Sequence, residues 1–150
     1  MLCNFEKLES RLEAILLETG FSKISEEVSP FGAKFLYKLS GGIYFQIICD
    51  YRDRCVILLF GYRYNLENHP ERYAITGRYF DVVSACSDNF EEEPDIRNYS
   101  SWEEYSAKLV SYLALSLVVV LKKVTPKILE ESADGWLDRK QSKFRFYRAE

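Results

Sequence analysis

The chain has 150 residues, 47% of them hydrophobic and 15% aromatic, with 20 basic against 23 acidic residues, a net charge of -3 and a single histidine. That much apolar surface excludes general disorder and suffices for one core, so residues 1–150 read as a single domain. The near balance of charge excludes wholesale phosphate binding, and His69 alone cannot supply the imidazole pairs or triads of most zinc and iron sites, so no metal and no cofactor is expected.

From Asn4 to Thr19 the residues Phe5, Leu8, Leu12, Ile15 and Leu16 recur at three- and four-residue steps, which predicts an amphipathic helix with Asn4 as its N-cap and Gly20 as the residue that ends it. The start of this stretch, MLCNFEKLES, is acidic and amphipathic, unlike the basic and then apolar profile of a secretory signal. A cytoplasmic protein with free thiols is therefore expected. Phe21 to Val28 is a candidate edge strand. Phe31 to Leu39 and Ile43 to Tyr51 alternate with a period of two around the turn Ser40-Gly41-Gly42, and Cys55 to Tyr64, apolar on both faces, reads as a central strand. Asn65 to Tyr73 reads as a loop and Arg78 to Cys86 as a further strand.

Ser87 to Tyr99 is a polar excursion without apolar period. Ser101 and Glu104 then fit a capping box, in which each side chain satisfies the other residue's backbone donor. They open a long helix from Trp102 to about Val124, which Pro126 ends or kinks. Its apolar run, Leu109 to Leu121, is too short to cross a bilayer and reads as a core helix, so no membrane association is expected. Lys127 to Glu131 reads as a short helical restart. Residues 139–150, with Lys143 to Arg148 spelling KFRFYR, are either a terminal strand or a basic aromatic tail. Such a tail can bind single-stranded nucleic acid by stacking; the strand is the preferred reading, and nucleic acid is not the expected partner.

No residue set is specific to a reaction, and binding is favoured over catalysis. A nucleophile pair of Cys86 and His69 is the one dyad the composition allows, with nothing in the sequence to bring the two together. Cys49 and Cys55 flank the turn Asp50 to Arg54 and in a hairpin would lie nearly opposite each other, although the expected compartment favours free thiols. The acids Asp88, Glu91, Glu92, Glu93 and Asp95 are the candidate partner-binding residues: solvated, with ordinary carboxylate pKa values, they suit steering of a basic protein better than general acid chemistry. The alternative is a small enzyme or ligand-binding protein with a pocket between helix and sheet, lined by Tyr62, Tyr64 and Tyr79.

The order of Leu17-Glu18-Thr19-Gly20-Phe21 closing a first helix, a meander, Ile75-Thr76-Gly77-Arg78 and the capped helix from Ser101-Trp102-Glu103-Glu104-Tyr105 to Pro126 resembles small bacterial α+β domains of unknown function, over about residues 4 to 130. Some of these sit among the immunity proteins that neutralise polymorphic toxins. The resemblance implies a cytoplasmic protein that occludes a partner, such as a basic toxin domain, and carries no catalytic residues. The expected fold is α+β: an antiparallel sheet of four to six strands, with the first helix and the long helix packed on one face against Phe35, Tyr37, Phe45 and Ile47.

Overall fold

The computed structural model describes residues 2–63, 73–90, 92–125, 128 and 146–148. Helix α1 (Leu2–Glu18) begins two residues before Asn4, which therefore sits inside the helix and not at its cap. Its far end follows the sequence. Gly20 takes φ 104°, and the amides of Gly20 and Phe21 donate to the carbonyls of Leu17 and Leu16, satisfying two of the groups a helix terminus leaves bare. Phe5, Leu8, Leu12 and Leu16 are buried as one stripe.

Strands β1 (Ser22–Ser29), β2 (Gly32–Leu39), β3 (Ile43–Asp50) and β4 (Cys55–Arg63) form an antiparallel meander. β5 (Tyr73–Arg78) and the short β6 (Phe146–Arg148) extend it, giving six strands in sequence order with β1 at an edge. Gly41 and Gly42, at φ 87° and 81°, make the β2–β3 turn, a backbone that side-chain-bearing residues rarely adopt. The register aligns three buried rows across β2, β3 and β4: Ala33, Cys49 and Val56; Phe35, Ile47 and Leu58; Tyr37, Phe45 and Phe60. Period-two alternation sends every member of these rows to the same face. Both α1 and α3 (Trp102–Lys123) pack there, and Leu109, Leu113, Leu117 and Val120 are completely buried in the core they share. The fold is thus the expected α+β architecture.

One element differs in kind. β5 ends at Arg78, and the expected strand from Arg78 to Cys86 is instead helix α2 (Tyr79–Cys86). Its buried residues Tyr79, Val82, Val83 and Cys86 are spaced i, i+3, i+4, i+7, a helical stripe that the β-branched Val pair disguises as strand. Tyr79 packs its ring near Phe45, Phe60 and Tyr112, and its hydroxyl lies 2.6 Å from that of Ser116 on α3.

α3 starts as expected, with the Ser101 side chain accepting from the Glu104 amide. The second half of the box differs, since the Glu104 carboxylate accepts from the Ser100 hydroxyl. The helix ends at Lys123, ahead of Pro126, with an extended Val124. At 22 residues it is long and apolar enough to cross a bilayer by length and composition, longer than the thirteen-residue apolar run suggested. Ser116, in the middle of the apolar run, is fully buried, while Leu115 and Val118 are exposed at 64% and 46%. The residues of the expected restart at 127–131 lie outside the described residues except Ile128, as do residues 143–145 of the basic tail. Phe146–Arg148 pair with β5 as a strand.

Candidate functional site: an acidic cleft at the sheet edge

β5 pairs with β4 from Leu59 to Arg63 only, so the first residues of β4, Cys55 to Leu58, extend past the end of their neighbour. The chain turns away into α2 and returns through Glu92–Asn98 beside that uncovered stretch. Between them lies a cleft of about 540 Å3, with Asp53, Cys55 and Ile57 on the sheet side, Arg78 and Phe80 at one end, Glu92 to Arg97 along the other wall and Tyr105 beneath.

The acidic excursion is therefore a wall and not a free loop, and its members do different things. Asp88 and Glu92 are exposed, and Glu91 lies outside the described residues. Asp95 caps a single 3-10 turn, Ile96–Asn98, by accepting from the Arg97 amide, and its carboxylate is gripped by the Arg97 side chain at 2.6 Å. These hydrogen bonds hold its carboxyl below the usual carboxylate range. Glu93 turns inward. Its side chain is 8% exposed, and its Oε2 lies 3.1 Å from Arg78 Nη2. Burial pushes its carboxyl up to about 7 against the opposing pull of Arg78, with Asp81 adding to the rise. The expectation of a solvated acid with an ordinary pKa fails at this position, because an inward-facing side chain 15 residues from Arg78 in sequence meets it only in the fold.

The three described thiols offer no nucleophile. Cys49 pairs in register with Val56 and Cys55 with Asp50, so the two cysteines are offset by one residue and do not face each other as the hairpin reading anticipated. Cys49, Cys55 and Cys86 are all free. Burial pushes the Cys49 thiol up to about 12 and raises those of Cys55 and Cys86, the opposite of what a reactive thiolate requires. His69 lies outside the described residues, so the dyad has no described geometry. Among the described residues no group of three or more His, Cys, Asp or Glu side chains is placed to hold a metal ion. The alternative pocket does not form around Tyr79, which is completely buried within the core; the side chains of Tyr62 and Tyr64 lie outside the described set.

Sequence reasoning located the acidic wall but missed Arg78, Asp53, Cys55, Arg97 and Tyr105, which complete the cleft. Their convergence depends on β4 outlasting β5, and no local pattern encodes that. No family model, characterised protein or solved structure matches this chain.

Proposed function

We propose that the protein is a non-catalytic binding module of the cytoplasm that takes a basic partner on this acidic cleft. The observation that supports the reading is the charge of the lining: Asp53, Glu92, Glu93 and Asp95 against Arg78 and Arg97, with Glu92 and Asp53 exposed to meet a cation. With Glu93 paired to Arg78 and Asp95 to Arg97, the charge left to meet a partner is that of Asp53 and Glu92, and such exposed charge accelerates the approach of the opposite sign. An immunity-type inhibitor of a basic toxin domain is the form of this role that the resemblance implies. A second reading rests on the size of the cleft, which at about 540 Å3 falls within the roughly 300–1,000 Å3 of small-ligand sites. A small cation would then be the occupant.

The test uses the partner captured from the source cell. Replacing Asp53→Asn and Glu92→Gln together removes exposed charge from both sides of the cleft. Association should slow several-fold at low salt and lose much of its salt dependence, with the melting temperature unchanged, because exposed charges contribute little to folding. Wild-type association rates in the double variant would place the interface elsewhere.

A further inference from the structure

We propose that the exposed face of α3 is the surface on which two copies of this chain pair, helix against helix and antiparallel, about a two-fold axis that crosses α3 at the level between Tyr112 and Leu113.

α3 is apolar along most of its length, yet only 39% of its apolar stretch is buried inside the fold. The uncovered part is one face. Ala107, Ser111, Ala114, Leu115 and Val118 are all exposed, and at about 100° per residue they fall within a third of the helix circumference. Leu115 and Val118, exposed at 64% and 46%, are the large apolar side chains of this face, and its three small residues let a second helix approach closely. Glu103 stands in the first turn and Lys122 in the last turn of the same face. Both are exposed, and neither has an ion-pair partner among the described residues.

The charges at the two ends select the occupant, because an acid at one end and a base at the other make the face complementary to itself. A second copy laid parallel would set Glu103 against Glu103 and Lys122 against Lys122. Turned antiparallel, it sets Glu103 level with the second copy's Lys122, Ala107 with its Val118 and Ser111 with its Ala114. The same three pairs recur beyond the axis, as a two-fold contact requires. The charge pairs are exposed, so they fix direction and register more than they add affinity. From Glu103 to Lys122 the face runs about 28 Å at 1.5 Å per residue, and it is about 10 Å wide. That is well short of the roughly 800 Å2 per partner of a standard interface, so the dimer is a weak one, with a Kd of about 100 µM or more, and dilute protein is monomeric. None of these residues lines the acidic cleft, so the dimer stands or falls apart from partner binding there.

Sedimentation equilibrium of the full chain from about 10 µM to about 1 mM is the test. The average mass should rise from 17.6 kDa toward twice that value. Glu103→Lys or Lys122→Glu alone should weaken association roughly tenfold or more, since the two-fold axis repeats each like-charge clash. An equimolar mixture of these two variants should restore it, because every facing pair is then of opposite sign. Leu115→Glu should abolish the dimer and leave the monomer folded by circular dichroism. A monomer throughout the range, association that survives Leu115→Glu, or a mixture that associates no better than its components overturns the proposal. So does a Leu115→Glu chain that fails to fold, which would place this face inside the monomer.

Discussion

Replacing Ser116 with Ala tests whether α2 is docked on α3 as the structure shows. Ser116 has one hydroxyl proton, and it goes to the Tyr112 carbonyl at 2.6 Å, so the Tyr79 hydroxyl 2.6 Å away must be the donor to Ser116 Oγ. Tyr79 and Ser116 are both 0% exposed, and burial raises the Tyr79 hydroxyl well above its ordinary range, keeping it a neutral donor at any working pH. Ser116→Ala leaves that donor buried without an acceptor, at a cost of about 1–3 kcal/mol. Tyr79→Phe removes the donor and leaves Ser116 bonded to Tyr112, costing about 0.5–1.5 kcal/mol. With both hydroxyls gone, nothing is left unsatisfied, and the double variant should lose no more than the worse single one. Denaturant unfolding of the four proteins measures the cycle, with a coupling energy of about 1 kcal/mol or more expected. Purely additive losses, or a Ser116→Ala variant as stable as wild type, would refute the pairing and with it the placement of Tyr79–Cys86 as a helix against α3.

The phase of α3 predicts a contrast: Leu113→Ala, at a position 0% exposed, should cost about 2–5 kcal/mol, while Leu115→Ala, 64% exposed, should stay within about 0.5 kcal/mol in the same denaturant assay. Equal effects would mean that the helix is rotated about its axis. Alkylation mapped by mass spectrometry should find Cys55 modified ahead of Cys49 and Cys86 in the native protein, with those two protected until unfolding, since Cys55 is half-buried and they are buried. Cys49 reacting as fast as Cys55 would show that the helices do not cover the row Ala33, Cys49 and Val56.

α1 and the meander were legible because their information is local: one helical stripe, and period-two alternation punctuated by Gly41 and Gly42. The interior of α3 was equally plain at Leu109, Leu113, Leu117 and Val120, whereas the hydroxyl pairing of Ser116 with Tyr79 was not, since it joins residues 37 positions apart on two different helices. Arg78–Cys86 was misread because Tyr, Phe and Val favour strands, and their preference outweighed a helical spacing only two turns long. The acidic residues were found as a group, but their division of labour depends on tertiary contacts. Asp95 is tied to Arg97 by a local cap, Glu92 is left in water, and Glu93 is drawn inward to an arginine that the end of β5 places there. The failure of Cys49 and Cys55 to face each other turns on a single residue of offset in the β3–β4 hairpin, which hydrophobic pattern alone does not set.

The most direct test of the acidic cleft as a recognition site is an NMR titration of the isotope-labelled protein with a short Lys- and Arg-rich peptide, repeated with an acidic peptide of equal length. Shifts should concentrate at Asp53, Cys55, Glu92–Arg97 and Tyr105 with the basic peptide only, weaken as salt is raised, and collapse in the Asp53→Asn/Glu92→Gln protein. Shifts scattered over the surface, centred on another face, or unchanged in that double variant would contradict the account.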